Sequence, residues 1–225
     1  MSGNVASVPQ SAASRLRIAE IFHSIQGEAD AVGWPTVFVR LTGCPLRCVW
    51  CDTEYAFHGG QWQDLDAILN EVSSYGTRHV CVTGGEPLAQ KRCLHLLEAL
   101  CDAGYDVSLE TSGALDVSGV DARVHKVVDL KAPGSGESAR NLYSNLDHLG
   151  LGDQIKIVIA DRADYDWAVS QLHEHALAQR SQVLFSPVAG KLTPRELAQW
   201  ILDDRLQVRL QMQMHKLLWG DVPGH

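Results

Sequence analysis

No stretch of this 225-residue sequence is apolar over the roughly 18 residues that a membrane-spanning helix needs. The first fourteen residues are small and polar, without the apolar segment of a secretory signal or the arginine bias of a transit peptide. We therefore expect a cytoplasmic protein that does not enter a membrane. Its length predicts a single domain over residues 15–225, preceded by a disordered leader at residues 1–14.

Runs of lysine and arginine are also missing. The chain has 27 acidic and 19 basic residues, which give it a formal net charge of −8. A chain this acidic repels a phosphate backbone, so we expect no direct nucleic-acid partner. The hydrophobic share of 45% and the charged share of 20% are ordinary for a folded globular chain, and they exclude disorder as its main state.

Apolar runs that suit buried strands alternate with segments of helical periodicity. Strands are predicted at residues 16–22, 37–41, 79–83, 107–111, 127–131, 155–160 and 183–187. Residues 208–214 also alternate between polar and apolar, which favours an extended segment. Helices are predicted at residues 65–76, 93–103, 161–178 and 193–203, with one more around Leu142, Leu146 and Leu149. This order predicts an α/β fold with a mostly parallel sheet and outer helices. The chain is short for a complete eight-fold barrel, so we expect a partial (β/α) barrel.

Three of the six cysteines lie within eight residues, as Cys44, Cys48 and Cys51 in a C-x3-C-x2-C pattern. In a reducing compartment such a cluster indicates metal binding or catalysis rather than disulfides. Three thiolates are one ligand short of a closed iron–sulfur cluster or a structural zinc site. Two interpretations stay open: His58 completes a zinc site, or a four-iron cluster keeps one iron open to a small molecule.

The other unusual motifs also follow predicted strands. Gly84-Gly85-Glu86-Pro87 follows the strand at 79–83, and Thr111-Ser112-Gly113 ends the strand at 107–111. Ligands of parallel α/β folds bind where the strands end. We therefore expect one active site built from several loops at this edge of the sheet.

The cysteine pattern, with Trp50 directly before its last cysteine, and the Gly84-Gly85-Glu86-Pro87 motif together resemble the radical S-adenosylmethionine (SAM) superfamily. The resemblance implies a [4Fe-4S] cluster on the three cysteines and SAM on the open iron. An electron then cleaves a carbon–sulfur bond of SAM, and the resulting 5′-deoxyadenosyl radical abstracts hydrogen from substrate. The cofactor carries this chemistry while the protein orients the reactants.

Four further segments are similar to the 7-carboxy-7-deazaguanine synthase family. They are residues 22–28 (FHSIQGE), 40–44 (RLTGC), 51–53 (CDT) and 211–216 (QMQMHK). The resemblance implies ring contraction of 6-carboxy-5,6,7,8-tetrahydropterin to 7-carboxy-7-deazaguanine with release of ammonia, a step toward 7-deazapurines such as queuosine. It also implies Mg²⁺, a flavodoxin or ferredoxin as electron donor, and a homodimer.

The same resemblance assigns roles to matching residues. SAM contacts fall on Trp50, Asp52, Gly85, Glu86, Glu110, Ser112, Asp129, Lys131 and Ser186. Substrate contacts fall on Ile25, Gln26, Gly27, Glu28, Arg40, Thr83 and His215. Thr53 is implied as a Mg²⁺ ligand, and His215 joins the three cysteines in the catalytic set. The chain departs from the family pattern at Asp129-Leu130, where Ser-Pro is frequent, and at Ser186, where Gln is frequent.

Two other functions share part of this pattern. A different small radical SAM enzyme, such as a glycyl-radical activase, needs the cysteines and glycines but not Gln26, Arg40 or His215. A zinc-stabilised binding module needs only Cys44, Cys48, Cys51 and His58, and it is not an enzyme.

Overall fold

The chain forms nine strands in one sheet and six helices within residues 15–220, 222 and 224, which the computed structural model describes. The strands are β1 (Arg15–Ile25), β2 (Pro35–Leu41), β3 (Gln61–Asp64), β4 (His79–Gly84), β5 (Asp106–Thr111), β6 (His125–Asp129), β7 (Gln154–Ile159), β8 (Gln182–Pro187) and β9 (Arg209–Leu210). The helices are α1 (Leu65–Ser74), α2 (Cys93–Asp102), α3 (Arg162–Glu174), α4 (Leu177–Arg180), α5 (Pro194–Asp203) and α6 (Met214–Trp219). The predicted leader at residues 1–14 lies outside the described residues. None of the described helices has the length and apolar character needed to cross a membrane.

The strand order across the sheet is β3-β1-β2-β4-β5-β6-β7-β8-β9. Strand β1 pairs antiparallel with β2 and β3, and every pairing from β2 to β9 is parallel. The sheet does not close on itself, because β3 and β9 are its two edges. The predicted mostly parallel, partial-barrel architecture is confirmed.

Helix positions follow from periodicity and capping. In α1 the buried Ile68 and Val72 lie four residues apart, so one face of the helix packs on the sheet. Helix α5 begins with a capping box, in which Thr193 and Glu196 satisfy each other's backbone N–H groups. Pro194 at the first helical position needs no N–H partner there.

Three segments differ from the prediction. The helix expected at 161–178 ends at Glu174, and α4 begins only after Ala176, which has a left-handed φ of 49°. The segment from 138 to 148 forms two 3-10 turns instead of an α-helix. Here Asn145 donates to the carbonyls of Gly113 and Leu115, and such side-chain bonds to the backbone compete with helix formation.

The third difference lies at residues 208–214, where alternation favoured an extended segment. Only Arg209–Leu210 pairs with β8, and the chain turns into α6 at Met214. The side chains of Gln211 and Gln213 both donate to Glu28, in the loop after β1. This last segment therefore reaches across the end of the barrel instead of extending its sheet.

Candidate active site

A cavity of about 320 Å³ lies at the carboxyl ends of the parallel strands. Strands β4, β5, β6 and β8 each contribute a predicted residue, so the expected convergence of the strand-end motifs is found. Strand β7 contributes Lys156 and Val158, which were not predicted. The predicted residues that line it are Ile25, Gln26, Glu28, Arg40, Cys44, Cys48, Trp50, Cys51, Asp52, Thr53, Thr83, Gly85, Glu110, Ser112, Asp129, Lys131, Ser186 and His215. Gly27 and Glu86 are the two predicted residues outside this lining.

The three cysteines of the loop after β2 all face the cavity as free thiols. Burial raises the pKa of each thiol, while the nearby Lys131 opposes that rise. The described residues contain no group of three or more His, Cys, Asp or Glu placed to hold one metal ion. A four-iron cluster instead places each cysteine on its own iron. His58, the fourth ligand of the zinc interpretation, is exposed and lies outside the lining.

The Gly84-Gly85 turn packs directly on the start of the cysteine loop. The N–H of Gly85 donates to the carbonyl of Leu41, and the N–H of Glu86 donates to the carbonyl of Gly43. A Cβ on Gly85 would lie 2.4 Å from the carbonyl oxygen of Gly43 and 2.9 Å from Cβ of Cys44. Only glycine permits this approach, so the two motifs form one bed for a bound group.

Glu86 lies next to the cavity but does not line it. Its side chain is fully buried behind the cavity wall, where it accepts hydrogen bonds from the backbone N–H groups of Leu88 and Ser112. The hydroxyls of Thr111 and Ser112 donate to the same carboxylate. The predicted contact of Glu86 with the methionine ammonium of SAM stays a prediction. Because four donors already occupy it, the carboxylate joins the turn after β4 to the end of β5.

Three residues predicted to bind substrate, Gln26, Arg40 and Thr83, line the cavity together with Glu110, a predicted SAM contact. The Glu110 carboxylate accepts from Nε2 of Gln26 and from Oγ1 of Thr83, each at 3.3 Å. Arg40 donates to Glu20 at 2.7 Å, and its guanidinium lies 5.6 Å from the ring centroid of Phe22. Although burial alone would lower it, the pKa of Arg40 is raised by neighbours that include the Glu20 carboxylate. The planar guanidinium therefore stays charged in the cavity wall, as carboxylate binding requires.

Two lysines and two carboxylates form a charged row in the cavity. Lys131 lies 3.0 Å from Asp129, and Lys156 lies 2.8 Å from Glu28 and 3.8 Å from Asp129. Despite burial, which lowers it, the pKa of each lysine is raised by these carboxylates. The buried Oδ1 of Asp129 has no hydrogen-bond partner among the described residues. An unpartnered acceptor in a cavity wall suits a bound molecule with a donor group.

The C-terminal segment covers one side of the cavity. Lys216 lies 3.1 Å from the Asp52 carboxylate, and Gln213 donates to Asp52 at 3.3 Å. These contacts hold the pKa of Asp52 well below its usual range, against the effect of burial. Asp52 therefore connects the cysteine loop to α6, in addition to any contact with SAM. The N–H of Met214 donates to the carbonyl of Gly27, whose missing Cβ would lie 2.2 Å from Nδ1 of His215. Gly27 therefore packs against His215, and this close contact leaves no room for a side chain at residue 27.

The sequence reading missed several residues of the cavity lining, chiefly Lys156, Gln213 and Lys216. One of them left a signal in the sequence. In β7, Ile155, Ile157 and Ile159 are core residues, and Lys156 and Val158 alternate with them. A lysine in the middle of such a strand has to face the interior of the barrel, because strand residues alternate between faces.

Comparison with known proteins gives the same picture. Residues 38–132 match the model of the Radical SAM superfamily. The chain is 47% identical to a 7-carboxy-7-deazaguanine synthase of Chlorobaculum tepidum, over 91% of this chain and 94% of that protein. It is 43% identical to one of Koribacter versatilis, over 91% and 97% of the two chains. The crystal structure of QueE from Escherichia coli has the same fold, with a TM-score of 0.73 and 24% identity over 88% of this chain and 94% of that one.

Proposed function

Because the chain belongs to the 7-carboxy-7-deazaguanine synthase family, we propose that it contracts the ring of 6-carboxy-5,6,7,8-tetrahydropterin to give 7-carboxy-7-deazaguanine and ammonia. The chain is a radical SAM enzyme of the lyase class. One structural observation supports the proposal. The cysteine loop, the Gly84-Gly85 turn and the polar wall of Gln26, Arg40, Thr83 and Glu110 all line one cavity.

Cys44, Cys48 and Cys51 would hold the [4Fe-4S] cluster, and the bed formed with Gly85 would receive the methionine end of SAM. When bound, the two groups supply a carbon-centred radical that abstracts hydrogen from substrate. The protein's part is to place the substrate against that radical and to keep water out. Trp50, Ser112, Lys131 and Asp129, whose buried Oδ1 is unpartnered, line the same cavity as the cysteines and are our candidates for the remaining SAM contacts.

On the substrate side, Arg40 suits the carboxylate of the pterin, because its planar fork can bind two oxygens at once. Gln26 and Thr83 offer an amide and a hydroxyl to the ring edge, and Glu110 orients both. His215 lines the same cavity, and its imidazole can form a hydrogen bond with the substrate. Thr53 would bind Mg²⁺ through its hydroxyl, which donates to Asp52 at 2.9 Å in this structure.

We also propose a cytoplasmic location, a homodimer, and a flavodoxin or ferredoxin as the source of electrons. Residues 15–225 would act as one catalytic domain. The continuous sheet from β3 to β9 supports that last point, since it includes every strand of the described residues.

The test is an oxygen-free assay of the protein with its cluster reconstituted. It contains SAM, dithionite, Mg²⁺ and 6-carboxytetrahydropterin, and it follows product by mass. We expect 7-carboxy-7-deazaguanine and ammonia in equal amounts from the native protein and neither from Cys48→Ala, which should lose the cluster absorbance but keep its fold. Formation of 5′-deoxyadenosine without the deazaguanine would contradict the proposal and favour a different radical SAM reaction. Iron-free protein saturated with zinc would contradict the radical SAM assignment itself.

A further inference from the structure

Strand β1 changes partway along its length which of its residues face the apolar core. Leu16 and Ile18 are buried in the core that α1 and α2 form with the sheet, and Ile21 packs against the same core. Even-numbered residues therefore face this core at the start of the strand, and an odd-numbered residue faces it further on. A regular strand has no such change, because its side chains alternate strictly between the two faces of the sheet.

A β-bulge between Ile18 and Glu20 causes the change. Ile18 pairs with Leu41 of β2, whereas Glu20 pairs with Arg40, so β1 has one residue more than β2 over this interval. Without the bulge, Glu20 would share the face of Ile18 and would face the apolar core. The bulge places Glu20 on the opposite face, beside Arg40. Bulges are frequent next to active sites, where they change the direction of a single side chain.

The guanidinium of Arg40 is held along one edge. Its Nε donates to Oε1 of Glu20 at 2.7 Å, while its Nη1 and Nη2 donate no hydrogen bond within the described part of the chain. The hydroxyl of Tyr55 donates to the same oxygen of Glu20 at 2.8 Å. The guanidinium carbon also lies 5.8 Å from the ring centroid of Tyr55 and 5.6 Å from that of Phe22. One carboxylate and two aromatic rings thus restrict the orientation of this cation.

The residues that hold Arg40 lie outside the cavity lining. Arg40 and Phe22 line the cavity, whereas Glu20 and Tyr55 do not. Tyr55 belongs to the 3-10 turn Glu54–Phe57, which directly follows the cysteine loop. Glu20 and Tyr55 are therefore placed to act on a molecule in the cavity through Arg40 rather than by touching it.

We propose that Glu20 and Tyr55 are positioning residues that present the Nη1–Nη2 edge of Arg40 to the carboxylate of the substrate. This inference rests on the proposed function, in which Arg40 binds that carboxylate. A guanidinium binds a carboxylate best through two parallel N–H donors, so the affinity depends on how this edge is oriented. Glu20 holds the opposite edge at Nε, and Tyr55 holds Glu20. Loss of either residue should therefore weaken only those ligands that carry the carboxylate.

The test compares two ligands that differ only in the carboxylate. They are 6-carboxypterin, a stable analogue of the proposed substrate, and pterin itself. Binding of each to the reconstituted protein with SAM is measured by equilibrium dialysis without oxygen. The dissociation constant of pterin divided by that of 6-carboxypterin, which we call the carboxylate ratio, measures the contribution of the carboxylate. A general disturbance of the cavity would weaken both ligands and leave the carboxylate ratio unchanged.

Glu20→Ala removes the partner of Nε, whereas Glu20→Gln keeps an oxygen that can accept from it. We expect Glu20→Ala to lower the carboxylate ratio about tenfold, close to the loss of one hydrogen bond to a charged group, with pterin binding near native. Glu20→Gln should restore most of the ratio, and Tyr55→Phe should lower it less than Glu20→Ala does. Glu98→Ala, at an exposed glutamate of α2, is the matched control and should keep the native ratio. When Arg40→Ala is already present, adding Glu20→Ala should change nothing further.

An unchanged carboxylate ratio in Glu20→Ala would overturn the inference. A higher ratio would overturn it too, because it would mean that Glu20 competes with the substrate for Arg40. If Glu20→Ala does not fold, Tyr55→Phe takes its place, and an unchanged ratio there has the same meaning. All three results leave the synthase assignment intact as long as the native protein forms the deazaguanine with dithionite. Failure of the native protein to form it would overturn the synthase assignment itself.

Discussion

The Nζ of Lys156 in β7 lies 2.8 Å from Oε2 of Glu28, in the loop after β1, although four strands lie between β1 and β7 in the sheet. The pair crosses the inside of the barrel and is largely buried at both ends. Glu28 also accepts from Gln213, which in turn contacts Asp52 of the cysteine loop. One ion pair thus links a central strand, the predicted substrate loop and the C-terminal segment.

Replacing Lys156 alone should destabilise the folded protein. Lys156→Met leaves the Glu28 carboxylate buried without its partner, and breaking such a pair typically costs about 3–5 kcal/mol. We expect a lower free energy of unfolding by that amount, measured by urea denaturation without oxygen. The double variant Glu28→Gln/Lys156→Met should be less destabilised than the sum of its single variants. Lys91→Met, at an exposed lysine, is the control and should unfold like the native protein. Strict additivity would show that the pair contributes no coupling.

The same pair predicts how stability depends on pH. Despite its burial, the pKa of Glu28 is lowered from the usual 4.5 by Lys156 and by hydrogen bonds, so its contribution is present above pH 4.5 and is lost as the pH falls through the folded pKa. The pKa of Lys156 is raised above 10.5, so its contribution is present below pH 10.5 and is lost on the alkaline side. We expect the native protein to have a higher free energy of unfolding than Glu28→Gln/Lys156→Met. Measured by urea denaturation at a series of pH values, this difference should decrease only below pH 4.5 and above pH 10.5. A difference in free energy of unfolding that decreased between pH 6 and 9 would contradict these pKa shifts.

Gly27 provides a separate test of the C-terminal segment. A Cβ there would lie 2.2 Å from Nδ1 and 2.8 Å from the backbone N of His215. Gly27→Ala should therefore push α6 away from the cavity and lower kcat/KM for the pterin, with little effect on cluster assembly. Gly152→Ala is the matched control, because the nearest neighbour of its Cβ would be in His125 at an ordinary 3.6 Å. Native kinetics in Gly27→Ala would show that His215 does not need its present position.

The sequence predicted the sheet because buried parallel strands are apolar runs. It predicted that the cysteine loop and the Gly84-Gly85 turn would meet because motifs that follow parallel strands lie at one edge. The resemblance to the family supplied most of the other predicted residues of the cavity lining. What the sequence could not supply were contacts between segments distant in the chain. Glu86 follows a strand end like the others, but its direction depends on Thr111 and Ser112 of the next strand. Likewise, Asp52 pairs with Lys216, 164 residues away, and no local pattern encodes that contact.

Variants of Thr53 can distinguish a role in Mg²⁺ binding from a role in the structure of the cysteine loop. Its hydroxyl donates to Asp52 and faces the cavity. If it binds Mg²⁺, Thr53→Ala should abolish most of the stimulation of product formation by Mg²⁺ while leaving SAM affinity close to native. Thr53→Ser keeps the hydroxyl and should keep the response. Equal loss of Mg²⁺ stimulation in Thr53→Ser and Thr53→Ala, or of SAM binding along with it, would argue that the residue serves the loop and not the metal.

Replacement by glutamine should affect different properties at Glu86 and at Glu110: stability and SAM binding at Glu86, and turnover at Glu110. Glu86 is wholly buried and accepts two backbone N–H groups and two hydroxyls, so Glu86→Gln turns an amide donor toward groups that are themselves donors. An unsatisfied buried group costs about 1–3 kcal/mol, and loss of hydrogen bonds to a charge adds to this. We expect Glu86→Gln to lower the free energy of unfolding and, through displacement of the Gly85 turn, to weaken SAM binding. Glu110→Gln faces the cavity, so it should unfold like the native protein and lose turnover instead. If Glu86→Gln has native stability but fails to bind SAM, the result would indicate that the Glu86 carboxylate contacts SAM directly.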